Sequence, residues 1–410
     1  MKKKITVYEH GKKTEREITY IPFRYITAIA LVIAETLGVI AIMTLLTVYL
    51  PYFFIAELVT QLSVAIAIIN RDDNPDYKLP WLFFVMLIPV IGFMLYFMFY
   101  SRKLDKKQVA RLKKLTEQSA DADDAEILAA LSRENALARS QAEILATLSG
   151  SHLYGDTDMQ YFPLGEELFA AMAADLKRAE KFVFMEYFII ENGLFWNTIL
   201  QILTEKAASG VEVRLIYDDI GCMTTLPGNY CKTLARAGIK AVPFFRLRGQ
   251  ANNEFNNRSH RKITVIDGEI GYTGGVNIAD EYINRVVKYG HWKDAGLRLR
   301  GEAVNELTRL FLIDYGLNDK KANDDFKAYY RRGKYPQSGY CIPFGDGPKP
   351  VYGKQVSKTV ITNMLCQAKR YVYVTTPYLI IDNELVQTLE NTAMRGVDVR
   401  IITPHIPDKK

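Results

Sequence analysis

Between Tyr25 and Ile69 the only charged residues are Glu35 and Glu57, and this apolar run constrains the chain more than any other feature. A bilayer core takes about 20 helical residues, so the run is too long for one span and has to fold back on itself. Tyr49-Leu50-Pro51-Tyr52 supplies the turn, because proline breaks a helix and tyrosine favours the membrane interface. After a polar break from Asn70 to Lys78, a third apolar segment from Leu79 to Ser101 carries no charge. The pattern predicts three transmembrane helices, at about residues 25–47, 50–69 and 79–100 of a membrane region 25–101, behind a basic segment 1–24. No small-x-small cleavage site follows the first helix, which argues against a cleaved signal peptide. Glu35 and Glu57 lie close to segment ends, where a carboxylate reaches the interface.

Orientation sets two signals against each other. Lysines crowd the N-terminus (Lys2, Lys3, Lys4, Lys12, Lys13), and Arg102, Lys103, Lys106 and Lys107 follow the third segment. Three spans place those ends on opposite faces, so the preference for basic residues on the cytoplasmic side cannot be met at both. The larger C-terminal part is expected on the cytoplasmic face of a multi-pass protein.

Residues 102–153 contain no proline and are rich in Ala, Leu, Glu, Lys and Arg, which predicts a helical linker acting as a spacer, basic at first and acidic at Asp121-Ala122-Asp123-Asp124. Beyond Tyr154 the pattern becomes α/β. Phe182 to Ile190 is the near-continuous apolar run of a strand buried on both faces, and Val211 to Tyr217 and Ile239 to Phe245 are further strands separated by helical stretches. The expected fold class is α/β, a mixed, largely parallel sheet flanked by helices. Net charge is +6, compatible with anionic lipid or nucleic acid and diagnostic of neither. The four cysteines show no metal-type spacing and no dense disulfide framework.

Within this part, His260 to Ile266 alternates polar and apolar residues, which predicts a strand with His260, Lys262 and Thr264 on one face. An imidazole and an ammonium aimed into one space suit attack on a phosphodiester: a histidine nitrogen acts as nucleophile while lysine neutralises the non-bridging oxygens. Gly274-Gly275-Val276-Asn277 follows, where bare backbone lets a phosphate approach. Asp218, Asp219 and Glu186 fall in or at the ends of strands, as pocket lining or as structural hydrogen-bond partners. The C-terminal residues repeat the beginning of the domain. Ala368 to Val374 echoes Ala179 to Met185, and Gly396 to Ile402 echoes Gly210 to Ile216, in the same order with nearly equal offsets.

His260-x-Lys262, Asp267 and Gly274-Gly275-x-Asn277 resemble the HKD signature of the phospholipase D superfamily. With Phe184-Met185-Glu186-Tyr187-Phe188, Leu215 to Gly221, His291-Trp292-Lys293-Asp294 and the apolar N-terminus, the chain resembles bacterial cardiolipin synthases from about residue 25 to 410. The resemblance implies a first phospholipase D-like domain at 154–320, an inter-domain linker at 321–355 and the start of a second, incomplete copy at 356–410. It implies transphosphatidylation, in which one phosphatidylglycerol is attacked at phosphorus, glycerol leaves, and a second phosphatidylglycerol takes the phosphatidyl group to give cardiolipin. It implies no metal or nucleotide cofactor, a bacterial cell membrane location with phosphatidylglycerol and other anionic lipids as partners, no nucleic acid, and room for a homo-oligomer.

Residue by residue, the resemblance makes His260 the nucleophile or the acid/base partner of a second histidine. Lys262 and Asn277 become ligands of the phosphoryl oxygens, with Gly275 and Glu186 beside the substrate. Asp267 belongs to the catalytic motif but reads as the holder of the strand-turn, and Asp294 as the carboxylate that orients an imidazole. Two such motifs meet in this superfamily, and residues 1–410 contain one; the expectation is a chain inactive alone as a truncated form, or one whose halves pair between copies. Other readings of the same residues are a phosphodiesterase acting on another phospholipid or on nucleic acid, and a catalytically incomplete lipid-binding membrane protein.

Overall fold

The computed structural model describes residues 2–9, 12–19, 23–45, 50–100, 104–118, 124–246, 257–333, 335, 339–347, 351–352 and 355–406. The chain begins with an antiparallel pair, β1 (Lys2–Glu9) and β2 (Lys12–Thr19). Four helices follow: α1 (Phe23–Leu45), α2 (Leu50–Ile69), α3 (Pro75–Leu87) and α4 (Pro89–Phe99). Among the described residues one helical stretch, Pro51–Ile69, is long and apolar enough to cross a membrane, while Ile29–Met43 and Val90–Phe99 are shorter apolar stretches. Of the expected turn, Tyr49 lies outside the described residues; Pro51 falls in the first turn of α2, where a proline's missing N–H costs nothing.

The single helix expected over 79–100 is corrected to two. α3 stops at Leu87, Ile88 adopts φ −128° and ψ 77°, and α4 starts at Pro89. A proline has no N–H for the carbonyl four residues back and disfavours helical geometry in the residue before it. α4 then folds back along α3, with the Trp81 ring 5.7 Å from that of Tyr96 and 6.0 Å from that of Tyr100. Gly92 permits the close approach, since a Cβ there would collide with the Phe84 carbonyl oxygen.

Helices α5 (Lys106–Gln118), α6 (Ala125–Glu134) and α7 (Ala136–Ser149) occupy the linker; of the expected acidic stretch, residues 121–123 lie outside the described residues. For α5, the spacer expectation is corrected. Val109, Leu112 and Leu115 recur at helical spacing and pack into the core of the following domain, and Arg111 donates to the carbonyls of Asp319 (2.9 Å) and Ala322 (3.1 Å).

The domain itself is built from β3 (Thr157–Phe162), α8 (Gly165–Leu176), β4 (Phe182–Tyr187), α9 (Leu194–Ala208), β5 (Glu212–Asp218), α10 (Tyr230–Arg236), β6 (Lys240–Phe244), β7 (Ile263–Ile266), β8 (Ile270–Gly274), β9 (Gly296–Gly301) and α11 (Val304–Asn318). One seven-stranded sheet runs β3-β9-β8-β7-β4-β5-β6. It is mixed, but the largely parallel expectation is corrected: only β4–β5 and β5–β6 are parallel, and the other four neighbouring pairs are antiparallel. Helical crossovers join β4, β5 and β6, whereas short turns join β7 to β8, and a turn returns a strand antiparallel.

Alternate residues of β4 face opposite layers, as expected of a strand covered on both sides. Val183 and Met185 join Trp196, Ile199 and Leu203 of α9, and Phe184 stacks on Phe311 of α11 at 4.7 Å. Three last elements, α12 (Val356–Gln367), β10 (Tyr371–Thr375) and α13 (Asn383–Met394), lead to β11 (Asp398–Ile402). β10 and β11 are parallel with Tyr371 opposite Asp398, the register that places Phe182 opposite Glu212 in β4 and β5. The sequence repeat is thus also a repeat of strand pairing.

Candidate active site

The register gathers distant segments at one edge of the sheet. β4 is parallel to β5 and antiparallel to β7, so the ends of β4 and β5 lie beside the start of β7, with Tyr187 opposite Tyr217 and Glu186 opposite Ile263. The turn-joined strands continue the arrangement, with Ile263 opposite Thr273 and Gly274 opposite Gly296. Residues 186–189, 218–221, 258–262, 274–277 and 294–296 therefore share one rim, at the carboxyl ends of β4 and β5, the edge at which open α/β sheets commonly hold ligands.

His260 and Lys262 stand in the lead-in to β7 and not in the strand, which corrects the expected strand over 260–266. The pairing of β7 with β4 and with β8 ends at Ile263, although Tyr187 and Gly274 continue those strands by one residue, and the lead-in is held by side chains. His260 is exposed, with its ring 4.9 Å from that of Phe188. Lys262 is buried, its Nζ donating to the His260 carbonyl oxygen at 2.7 Å and lying 5.6 Å from the centre of the Phe188 ring. Burial pushes its ammonium down to about 8, against the opposing pull of Asp294, Asp218 and Glu186. Thr264 does not join them: its hydroxyl meets the buried Tyr187 hydroxyl at 2.7 Å.

The lead-in is clamped from below. Asp218 is fully buried and accepts from Arg258 Nε (3.0 Å), Arg258 Nη2 (3.0 Å) and the Ser259 backbone N–H (3.0 Å), while also holding the N–H groups of Ile220 and Gly221 at 2.9 Å. Burial raises its carboxyl, and Arg258 counters that most strongly. Glu186 lies beneath the motif, not beside an open pocket: it is fully buried and its Oε1 accepts from Ser259 Oγ at 2.5 Å. Burial first, and then the negative charge of Asp314, hold Glu186 well above the usual carboxylate range, with Arg261 opposing.

On the other side of the rim, a Cβ on Gly275 would collide with Oδ1 of Asp294, so the bare backbone at 275 makes the seat of that carboxylate. Asp294 is raised by burial and held back by the Ala295 N–H, the Trp292 indole and the charge of Lys262. Asn277 is drawn into the scaffold, its Oδ1 accepting from the Ile189 N–H (3.0 Å) and its Nδ2 donating to the Tyr282 hydroxyl (2.8 Å), so it ties this turn to the end of β4. Trp292 packs on Tyr282 at 4.9 Å as a wall, and His291 is exposed.

Asp267 stands at the opposite end of β7 from His260. It adopts φ 55°, and its carboxylate accepts from the backbone N–H groups of Glu180 (2.8 Å), Lys181 (2.7 Å) and Phe182 (2.8 Å). Its position is that of an anchor for the start of β4. Sequence reasoning placed Arg258 and Ser259 in the stretch around His260, and Phe188 in the Phe184 to Phe188 motif, but gave none of the three a role. The one available signal was their adjacency to the motif and to the end of β4, because nothing in spacing pairs Arg258 with Asp218.

Comparison with known proteins bears on this rim. The family described as cardiolipin synthase, PLD-like domain, matches residues 172–290 and 361–410, and the phospholipase D-nuclease N-terminal family matches 61–99. A cardiolipin synthase of Listeria innocua is 31% identical over 384 residues, 91% of this chain and 77% of the relative. A cardiolipin synthase of Staphylococcus aureus is 32% identical over 378 residues, 88% of this chain and 74% of the relative. An uncharacterized protein of Streptococcus mutans is 38% identical over 351 residues, 84% of this chain and 74% of that one. Among solved structures, a phosphatidylserine synthase of Haemophilus influenzae aligns with a TM-score of 0.45 at 15% identity, over 65% of this chain and 66% of the other.

Proposed function

We propose, from the premise that this chain belongs to the cardiolipin synthase family of phospholipase D-like phosphatidyltransferases, that it moves a phosphatidyl group between two phosphatidylglycerol molecules through a phosphohistidine at His260. The observation that carries the reading is the pairing at the rim: an exposed histidine whose backbone carbonyl fixes a buried ammonium at 2.7 Å, with Asp294 close enough for its charge to act on that ammonium. In the first step a ring nitrogen of His260 bonds to phosphorus, the bond from phosphorus to the glycerol oxygen breaks, and that oxygen takes a proton. In the second, a hydroxyl of another phosphatidylglycerol attacks, the phosphorus–nitrogen bond breaks, and the hydroxyl proton leaves to a base. Lys262 neutralises the non-bridging oxygens in both steps. Asn277, with one amide hydrogen beyond its bond to Tyr282, closes the opposite side.

The proton donor and base is a second imidazole in the resembled superfamily, and a second His-x-Lys motif, from whichever chain supplies it, fits that place here. The catalytic domain works at the cytoplasmic face of the bacterial cell membrane, anchored by the N-terminal helices, with anionic lipid as both substrate and surroundings. The test is product analysis on vesicles of labelled phosphatidylglycerol. Cardiolipin with free glycerol, label trapped on His260 after a denaturing quench at neutral pH, where the phosphorus–nitrogen bond survives, and loss of both in His260→Ala support the reading. Phosphatidic acid as sole product, cleaved nucleic acid, or full activity in His260→Ala would each overturn it.

A further inference from the structure

The residues that end α3 point to a membrane segment that enters and leaves on the same face. α3 has 13 residues and α4 has 11, so at about 1.5 Å per residue they reach about 20 Å and about 16 Å, short of a hydrocarbon core of about 30 Å. Their far ends meet at the base: the Tyr100 hydroxyl donates to Asp73 at 2.7 Å, and Arg71 lies 4.4 Å over the Tyr100 ring. The chain therefore returns to its level of entry. The outward surface is apolar, with Leu79, Phe83, Leu87 and Phe97 each more than 60% exposed.

A turn inside hydrocarbon is tolerated only where its backbone groups are satisfied by protein. In a continuous helix the Val85 and Met86 carbonyls would accept from residues 89 and 90, and residue 89 is a proline. Gln61, a 7% exposed side chain in the middle of α2, donates its Nε2 to both carbonyls, at 3.0 and 2.9 Å. Gln61 stands eight residues before the end of α2, about 12 Å from that end at ~1.5 Å per residue, so it meets the hairpin within its height of about 16–20 Å, well above the base. Gln61 is followed along α2 by the buried Val64 and Ile68, which pack with Val85.

We propose that α3 and α4 form a re-entrant hairpin in one leaflet, capped at its tip by Gln61, and that α1 and α2 alone cross the bilayer. Two crossings put the N-terminal lysines and the basic residues after α4 on one face, which removes the conflict that three crossings create. Two contacts agree with that placement: β1 lies against α9 and α10 of the catalytic domain, and Asp76 at the hairpin base accepts from the Asn383 N–H at 2.7 Å. The inference rests on the membrane-bound reading above.

The test uses the full chain with its four cysteines replaced and single cysteines introduced at Glu15, Tyr52, Leu87 and Lys106, probed with a membrane-impermeant thiol reagent on intact cells and on inverted vesicles. Glu15→Cys and Lys106→Cys are expected to react in inverted vesicles only, Tyr52→Cys in intact cells only, and Leu87→Cys in neither. Glu15→Cys and Lys106→Cys reacting from opposite faces would overturn the hairpin and leave the membrane-bound reading standing, as would Leu87→Cys reacting from either side. Release of the protein from membranes by alkaline carbonate would sink both.

Discussion

Gly275→Ala separates the fold from the site. Gly275 is not among the described glycines with positive φ, so alanine fits its backbone, and such a change can stabilise by about 0.4–1 kcal/mol through the unfolded chain. All three atoms nearest the added methyl belong to Asp294, a side chain that can rotate away. The fold then loses little, with stability expected within about 1 kcal/mol of the parent. The site loses a seat: the carboxylate has to retreat by on the order of 1 Å, and a displacement of that size at a reacting centre costs on the order of 10²-fold in rate. The assay is phosphatidyl transfer in vesicles alongside thermal unfolding. Gly274→Ala is the contrast, because φ is 155° and its Cβ would sit 2.5 Å from the Ala295 carbonyl oxygen and 2.6 Å from the Gly296 Cα, backbone that cannot step aside. That variant is expected to lose stability first. In an Asp294→Ala background Gly275→Ala should cost nothing further, since close neighbours acting through one contact are not additive. Parental turnover in Gly275→Ala, or an undiminished extra loss in the double variant, would refute the role given to the Asp294 seat.

Further outcomes follow from the two ends of β7. With Lys262 at about 8, transfer is expected to fall as pH rises through that value, because the neutral amine no longer balances the phosphoryl charge, and Lys262→Arg should shift the alkaline limb upward. The effect on stability has the opposite sign: between about 8 and the unfolded lysine value of about 10.4 the unfolded chain binds more protons, so the folded state gains as pH rises. Asp267→Ala leaves three backbone N–H groups without their acceptor and should cost about 3 kcal/mol in a denaturant titration, while turnover per folded molecule stays near the parent; a rate collapse with unchanged stability would return Asp267 to the chemistry.

The sequence shows its apolar periodicities plainly, and with them the helical N-terminus, the βα alternation from Phe182 to Phe244 and the repeat at the C-terminus. What it hides are relations between neighbours. The stretch Glu269 to Thr273 reads as a hairpin-like return, and β7 and β8 do pair antiparallel; what the largely parallel reading misjudged is how β7 sits against β4 and β9 against β8 and β3, because alternation describes a strand without saying which neighbour it takes. The third apolar segment was misjudged because hydropathy counts residues and not hydrogen bonds: Leu79 to Tyr100 is uniformly apolar, yet Pro89 removes a donor, and a glutamine in another helix replaces it. The clamp on the lead-in was equally hidden, since Asp218 and Arg258 lie forty positions apart and only the pairing of β4 with both β5 and β7 brings them together.

The spacing of the motif has a physical reading that separates its members. Between Lys262 and Asp267 lie four residues, Ile263 to Ile266, and these are the whole of β7, every one buried. The interval therefore measures a strand crossing the sheet, and the residues at its two ends cannot share one reacting centre. At one end the strand delivers His260 and Lys262 to the rim; at the other, Asp267 ties the turn to the first residues of β4, the strand antiparallel to β7. Adding or removing one residue inside 263–266 would turn the side chains on one side of the change to the opposite layer, or force a bulge, and would shift His260 relative to Phe188, so strand register disfavours other spacings. A signature that reads as three members of one centre is, in this fold, two residues delivered to the rim and, a strand's length away, the anchor of a turn.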